Sequence, residues 1–493
     1  MDIQVIGRID LFQLCGSAGS RKAGSGKGRS NKGKGLVIPA MIFALLSLSS
    51  AQAQEDGSGI SDGVVRIGVL GDYGSGRDLG GPGSVTAAKL AAEDFHNKVL
   101  GKPIEIVSAD HQNKPDVAVG IARHWFDIDH VDAVTDLAVS SVGLAVAGLA
   151  TQNNRTALVS GAATSDLTGS KCSPLITHWA DDTYALSAGL VNELAKRVGK
   201  DWFFVAVDYS FGTAMVNDAS KAVTSAGGKV VGTVRYPFNT TDFSSFLLAA
   251  QGSGAKVVAL AGTGADTVAA VKQTHEFGLQ AGGQTIVGML TFVSDVHSIG
   301  LKDAQGMYIA AQYYWDDDDG TRAFAKRFFE IEKREPTKLQ AATYAAVRHY
   351  LKAIEAGGTD EAKAVNIQMR KMPVDFFGRP GHIRKDGRVI YDLSLYRVKG
   401  EGAVREPLPL GLLRKNLGHS RRNGVAPRER RRLQIRQVTS ANVCAFRTRR
   451  NPWSRRAISA NSSTSTRVSS AARSSSIPIS TRKSWTRSLR GPG

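Results

Sequence analysis

From Val64 to Leu70 the chain reads VVRIGVL, a β-branched run that closes on the glycine-rich loop Gly71-Asp72-Tyr73-Gly74-Ser75-Gly76. Apolar residues at helical spacing follow (Val85, Ala88, Ala92, Phe95, Val99) and predict a helix over 84–99. The unit then repeats: strand 104–107, helix 115–126 opened by Pro115, strand 131–134, helix 141–151 and strand 157–160. A second series runs through strand 203–207, helix 213–226, strand 229–234, strand 257–261, helix 265–277 and strand 285–289. Strands separated by crossover helices pair in parallel, and a parallel sheet must be covered on both faces. The expected fold class is α/β, with two Rossmann-like lobes of parallel sheet flanked by helices rather than one very wide sheet. A cleft between such lobes, fed by strand ends, is the default place for a ligand.

Charge separates this body from the chain's ends. The formal charge is +19, but residues 401–493 hold 21 Lys+Arg against 3 Asp+Glu, and residues 1–54 hold 7 against 2. Taking these from the totals of 63 and 44 leaves 35 basic and 39 acidic groups in residues 55–400, a net of −4. The body therefore has no excess of phosphate-seeking charge, and nucleic acid is not an expected partner. Three cysteines (Cys15, Cys172, Cys444) exclude a disulfide-rich scaffold and a four-cysteine zinc site. No apolar run after residue 60 approaches the ~18 residues of a membrane helix.

Lys32 and Lys34 precede an apolar run from Leu36 to Leu48 and the small residues Ala51-Gln52-Ala53. A positive segment, a short apolar core and an Ala-x-Ala end predict a secretory signal peptide cut after Ala53, so residues 1–53 are read as an N-terminal extension plus signal peptide. After Lys399 the composition changes: 19 of the tail's 21 basic residues are Arg, and Ser and Thr crowd residues 459–488. With no sustained apolar face, residues 401–493 are expected to be a disordered Arg/Ser-rich tail.

Motifs that suggest catalysis or metal binding fail on context. Gly59-Ile60-Ser61-Asp62-Gly63 matches a serine-hydrolase pattern, but it precedes the first strand instead of forming a strand-to-helix elbow. Gly24-Ser25-Gly26-Lys27 lacks the Ser or Thr of a phosphate loop at Gly28. Gly262-Thr263-Gly264-Ala265-Asp266 is half a dinucleotide fingerprint and reads as a turn into a helix. Asp316–Asp319 lacks the alternating ligands and glycine of a calcium loop and reads as a solvated turn. No metal, cofactor or catalytic residue is expected, and the chain is not expected to be an enzyme. Trp179, Tyr209, Phe211 and Phe292 fall at loop positions that strand ends would deliver to a cleft, which suggests an apolar pocket with few polar anchors.

From Val64 to about Lys399 the sequence resembles the periplasmic substrate-binding proteins of the branched-chain amino acid (Leu/Ile/Val-binding) ABC-transporter family, with the type I periplasmic binding fold. The resemblance is carried by VRIGVLGDYGSGRDLGGPGSVTAAKLAAEDF at Val65–Phe95, SADHQNKPDVAVGIAR at Ser108–Arg123, VSGAATSDLTG at Val159–Gly169 and VDYSFGTA at Val207–Ala214. It continues through VSDVHSIGLKDAQGMYIAAQYYW at Val293–Trp315 and FAKRFFEIEKREPT at Phe324–Thr337. It implies two lobes joined by a three-crossing hinge: lobe one over 64–182 and 313–370, lobe two over 183–312 and 371–400. It implies hinge closure on a small carboxylate of the branched-chain amino acid type, delivery to ABC-transporter permease subunits, a periplasmic location and a monomer. The alternatives are an aromatic carboxylate as ligand, or a ligand-sensing domain of a signalling system.

By the same resemblance the ligand carboxylate would meet Ser141 at a helix start and the Ala162-Ala163-Thr164 loop, with the backbone at Ala162 and the hydroxyl of Thr164 taking part. Helix-start N–H groups and a hydroxyl can accept a carboxylate without a full countercharge. Leu79 would act as a lid, and Tyr209, Phe211, Thr263 and Phe292 would approach from lobe two. Two departures stand out. The loop Leu290-Thr291-Phe292-Val293-Ser294-Asp295 has no acid at the early positions where amino-acid binders hold the ammonium, which makes a ligand without an ammonium plausible. The family's second cysteine near the C-terminus is missing from the body, so Cys172 is expected to be unpaired.

Overall fold

The computed structural model describes residues 59–74 and 80–399, together with the backbone of two further strands, Ile3–Asp10 and Arg432–Gln434. Apart from those two strands, the N-terminal extension with the expected signal peptide and the Arg/Ser-rich tail lie outside the described residues, as does the expected lid residue Leu79.

Two large sheets dominate. The first has six strands in the order Lys98–Val99, Lys102–Asp110, Val65–Gly71, Ala133–Asp136, Thr156–Val159, Ile176–His178. All neighbours pair in parallel except the short edge hairpin of Lys98–Val99 with Lys102–Asp110. Both faces are covered, as a parallel sheet requires. Val65, Ile67 and Val69 point to one face, where they join Ala87 and Ala91 of helix Gly81–Glu93 and Tyr350 and Ile354 of helix Lys338–Gly357. Leu70 and Val134 share the other face with Trp125 of helix Pro115–Asp127 and Val142 and Val146 of helix Ser140–Gln152.

The second sheet runs Arg432–Gln434, Ile3–Asp10, Leu393–Val398, Tyr308–Ala311, Thr285–Gly288, Val257–Ala261, Asp201–Val207, Lys229–Tyr236. It is parallel from Tyr308–Ala311 to Lys229–Tyr236, while Leu393–Val398 runs antiparallel to both Tyr308–Ala311 and Ile3–Asp10. Its core holds Trp202, Phe204, Val258 and Val287, packed under Leu190 and Leu194 of helix Thr183–Arg197 and Met215 of helix Ser210–Ser225. The α/β class and the two Rossmann-like lobes expected from the alternation are therefore present.

The chain passes between the two cores near residues 179–180, 311–313 and 391–393, where residues one or two positions apart belong to different cores. Trp179 belongs to the first and Ala180 to the second; Ala311 belongs to the second and Tyr313 to the first; Tyr391 belongs to the first and Leu393 to the second. The last passage comes later than the boundary expected at 371. Residues 374–390 form a three-stranded sheet of Val374–Phe376, Arg379–Ile383 and Val389–Ile390. Its Val374, Phe376, Ile383 and Val389 pack in the first core, so only from Leu393 does the chain join the second sheet.

One helix is shorter than its apolar spacing suggests. It starts at Gly81 and ends at Glu93. His96 and Asn97 then take positive φ (53° and 55°), and Val99 reaches the core from the edge hairpin instead of from a fifth helical turn. Helix Lys338–Gly357, absent from the sequence-based assignment, is buried along most of its length and packs against the first sheet. Ser61 sits on no elbow: its N–H and hydroxyl both donate to Asp360 (2.9 and 3.0 Å), tying the segment before the first strand to the end of the long helix.

Helix Ser210–Ser225 approaches the end of strand Asp201–Val207 closely enough that a Cβ on Gly212 would overlap the Val207 carbonyl. Gly212→Ala is therefore expected to destabilise the protein by ~2 kcal/mol or more, since the obstacle is backbone. Gly148→Ala, in a helix position facing open space, should instead stabilise by ~0.5–1 kcal/mol. Denaturant midpoints of the two variants check the contrast.

Candidate functional site

The first sheet delivers two loops to one place at the C-terminal ends of its parallel strands. Strand Ala133–Asp136 leads through Leu137 and Val139, both at positive φ (58° and 75°), into helix Ser140–Gln152. Strand Thr156–Val159 leads into Ser160–Thr164. The two loops touch: a Cβ on Gly143 would meet the Ala162 side chain, and one on Gly161 would meet the backbone of Ala138 at 2.7 Å. Ser141, Ala162 and Thr164, singled out from the sequence, are thus brought to one place.

Their environments differ. The helix opens one residue before Ser141, at Ser140, whose hydroxyl is buried and without a hydrogen-bond partner, while Ser141 is half-buried. The Thr164 hydroxyl caps the short turn Ser165–Leu167 by accepting from the Asp166 N–H (3.3 Å). The carbonyls beside it are engaged. Ala163 accepts from the Thr183 N–H at 2.8 Å, and Ala162 accepts from His178 Nε2 at 2.7 Å. Burial, reinforced by the Arg388 charge, pushes the His178 imidazole down to about 4, so it is neutral and carries its proton on Nε2. What remains at this corner among the described residues is a helix start and an unpaired serine hydroxyl, an arrangement that can accept a carboxylate.

Beneath the two loops lies Asp136. Its carboxyl is fully buried and packed against Gly71, Gly80 and Gly161, where a Cβ on any of the three would crowd it. Burial pushes it up to about 7, with the Ser84 hydroxyl pulling down and the Asp72 charge pushing up. Asp72 is itself buried, and neither of its carboxylate oxygens has a hydrogen-bond partner.

The second lobe meets this corner through helix Ser210–Ser225. Asp218 on that helix accepts from Ser165 Oγ and Thr183 Oγ1, both at 2.7 Å, and Thr183 Oγ1 also accepts from the Ser165 N–H (3.1 Å). The loop that follows Thr164 is thereby bonded across the gap to the second lobe. Tyr209 and Phe211 open the same helix, half-buried and buried respectively, with ring centroids 6.0 Å apart. Thr263, before helix Ala265–Glu276, is buried with an unpartnered hydroxyl. Trp179 departs from the expectation of a cleft aromatic. It is fully buried in the first core, beside His349 at 5.5 Å, with its indole donating to Thr177.

Phe292 lies at the hinge end, in a cavity lined with Thr291, Tyr314, Trp315, Tyr396 and Lys338. Asp295 is buried and accepts from the Phe292 N–H (2.9 Å) at the start of its own helix. Asp318 likewise caps helix Asp319–Glu332, so the acidic run is a helix start more than a solvated turn. Among the described residues no cluster of His, Cys, Asp and Glu could hold a metal ion. Cys172, expected to be unpaired, is disulfide-bonded, and its partner lies outside the described residues.

The crossings themselves carry a buried network that sequence reading did not find. Lys338 pairs with Asp181 (3.1 Å), and Arg388 pairs with Asp182 (3.1 Å). Gln312 donates its amide to Asp181, Arg388 donates to the carbonyls of His178 and Ala180, and the Tyr391 hydroxyl donates to the Trp179 carbonyl. The doublet Asp181-Asp182 at the first crossing was the signal available.

Two hinged α/β lobes with a carboxylate-suited corner between them define a solute-binding protein. The model of the periplasmic binding protein family matches residues 64–403, and the chain belongs to that family. It is 40% identical to a periplasmic binding protein from Burkholderia mallei, covering 70% of this chain and 92% of that one with a TM-score of 0.68. It is 39% identical to a branched chain amino acid ABC transporter periplasmic ligand-binding protein from Burkholderia xenovorans LB400, covering 69% and 92% with a TM-score of 0.64. It is also 27% identical, over 66% of this chain and 84% of the relative, to Leu/Ile/Val-binding protein homolog 6 of Brucella melitensis biotype 1. The chain is accordingly a periplasmic binding protein of the ABC-transporter type, a binder of small ligands and not an enzyme, and its family is extracytoplasmic.

The Asp136 environment sets a pH dependence. A carboxyl whose folded value lies near 7 stabilises the fold most below its unfolded value near 4, and that contribution is lost as pH rises through 7. Asp136→Asn should remove this slope, so its stability relative to wild type should rise between pH 4 and pH 8. The gain is on the order of 4 kcal/mol at most, at 1.36 kcal/mol per pKa unit, read from denaturant midpoints.

Proposed function

We propose that the chain is the solute receptor of an ABC importer, that it takes a small carboxylate between its lobes, and that the closed form is presented to the membrane permease. The observation that carries this is the meeting of the helix start at Ser140-Ser141 with the Ala162–Thr164 loop, opposite helix Ser210–Ser225 and bonded to it through Ser165 and Asp218. Ligand bridging these elements stabilises the closed arrangement, which is how a binder shifts a hinge equilibrium. Lobe one is assigned to 64–179 and 313–391, and lobe two to 180–312 and 392–399. Ser141, Ala162 and Thr164 hold the carboxylate with Ser140 beside them, Leu79 covers it, and Tyr209, Phe211, Thr263 and Phe292 close from lobe two. The protein is exported by the signal peptide ending at Ala53 and acts as a monomer.

The relatives' names point to branched-chain amino acids. A second reading, a carboxylate without an ammonium such as an aromatic acid, is favoured by Asp295, whose carboxylate closes its own helix. Ala162 supports it as well, since its carbonyl already accepts from His178.

Thermal unfolding of the full-length chain against leucine, valine, urea, benzoate and hydroxycinnamates tests both readings. A micromolar ligand at millimolar concentration should add about 4 kcal/mol, with the ligand recovered chemically unchanged. Stabilisation by aromatic acids alone is the expected result. Stabilisation by leucine or valine alone would overturn the reading without an ammonium, and no response to any carboxylate would overturn the carboxylate receptor.

A further inference from the structure

Side chains no larger than a methyl at Gly161, Ala162 and Ala163 cannot fix which way a peptide unit of this loop faces, so its orientation must come from bonds to the backbone itself. One such bond is made by His178, the last residue of strand Ile176–His178. Its ring is wholly buried, and Nε2 lies 2.7 Å from the Ala162 carbonyl oxygen. A carbonyl only accepts, so the nitrogen facing it carries the proton, while Nδ1 has no hydrogen-bond partner. The next carbonyl, that of Ala163, accepts from the Thr183 N–H at 2.8 Å. Both carbonyls are thus turned toward residues 178–183.

In a planar trans peptide the C=O and the N–H of the following residue point in opposite directions. Holding the Ala162 carbonyl toward His178 therefore turns the Ala163 N–H away from it, and the Thr183 bond does the same for the Thr164 N–H. Strand Thr156–Val159 lies between Ile176–His178 and Ala133–Asp136. The side opposite His178 is accordingly that of the Leu137–Val139 loop and the start of helix Ser140–Gln152. Neither N–H has a hydrogen-bond partner among the described residues, although Ala163 is only 3% exposed and Thr164 is fully buried. Buried donors left unpaired are rare and costly.

We propose that His178 is a positioning residue for the ligand: by fixing the Ala162 carbonyl it aims the Ala163 N–H at the carboxylate beside the Ser140 helix start. This rests on the small-carboxylate reading above and refines its loop contact, which passes to backbone N–H groups because the Ala162 carbonyl and the Thr164 hydroxyl are already engaged. His178 is itself held at the hinge. Its N–H donates to the Gly387 carbonyl (2.9 Å), and its own carbonyl accepts from Arg388 (3.3 Å), which pairs with Asp182 just beyond the first crossing. A wholly buried imidazole with one nitrogen unpaired carries a desolvation cost that an apolar side chain of similar size would not, and the bond to Ala162 offsets it. The ligand class that fits the loop is a small acid whose carboxylate takes these N–H groups and which requires no acceptor from them.

Methionine and glutamine at 178 have the same reach, but only glutamine carries a donor near the place of Nε2. Leucine, valine, benzoate and hydroxycinnamates are titrated calorimetrically into the full-length protein. His178→Met should weaken whichever acid wild type binds by about tenfold or more, as for loss of a hydrogen bond to a charged group. His178→Gln should stay within about threefold of wild type, a recovery that a ring needed only for packing would not show. In wild type the Ala163 amide proton should move downfield in the NMR spectrum when that acid is added, and this measurement decides the matter if His178→Met has no folded transition. Undiminished binding in His178→Met, no recovery in His178→Gln, or an Ala163 amide that does not move overturns the positioning role while leaving the receptor reading intact. A wild type that binds none of these acids overturns both.

Discussion

The three crossings are held by buried charge, and the geometry of the cleft depends on it. Asp181 and Asp182 follow the first crossing, Gln312 lies in the second, and Arg388 lies just before the third. Lys338 closes the group from the start of the long helix. Charges this deep cost several kcal/mol each to desolvate and are tolerated only when every one is paired. The result is directional: each crossing is bonded to another, so the two sheets are pinned at one edge. Asp181 shows the balance in one residue, since burial pushes its carboxyl up while Lys338 and Arg388 pull it down.

With that edge pinned, the strand ends do the rest. In a parallel sheet every strand delivers its C-terminal loop to the same side, and each crossover helix begins there with unpaired N–H groups. Strands Ala133–Asp136 and Thr156–Val159 therefore bring the Ser140 helix start and the Ala162–Thr164 loop together without any special sequence signal beyond small residues at the contact. Gly143, Gly161 and Ala162 supply those small residues, and Asp136 fills the space under them. A larger residue at 161 would separate the loops. Close packing of the loops is thus a condition for the site, and a buried acid that must be largely protonated to remain there is part of that packing.

The alternation of β-branched runs and helical periods made the parallel sheets legible, because both periods are local properties of the chain. The strand Val257–Ala261 is found where it was expected, and helices such as Pro115–Asp127 lie within a residue or so of the expected bounds. Local pattern failed where tertiary contact decides. Phe95 and Val99 continue a helical spacing, yet the chain turns at His96 and Asn97 to make an edge hairpin. Tyr391 and Leu393 are two residues apart in an apolar stretch and belong to different cores, which no periodicity could reveal. The meeting of Ser141 with the Ala162–Thr164 loop was expected only through a family resemblance, and the Asp181–Lys338 pair left no sign beyond the Asp181-Asp182 doublet, since its members are separated by most of lobe two.

The same contrast bears on ligand chemistry. Reading the sequence alone, Asp295 stands a few positions too late to meet an ammonium, which is an argument from spacing. The structure replaces it with an argument from bonding: Asp295 accepts from the Phe292 N–H and closes its own helix, so redirecting it would expose a helix start in a buried place. Lobe two also offers Asp218, but Ser165 donates to it across the gap and Thr183 donates to it from within lobe two. Each of these carboxylates is committed to holding the two lobes or their helices in place. Among the described residues, the charged side chain that lines the hinge cavity is Lys338, 5.1 Å above the Phe292 ring. The acids of lobe two are thus engaged in structure, and the lysine at the hinge is itself paired with Asp181, so the charges described around the crossings serve first to hold the fold together.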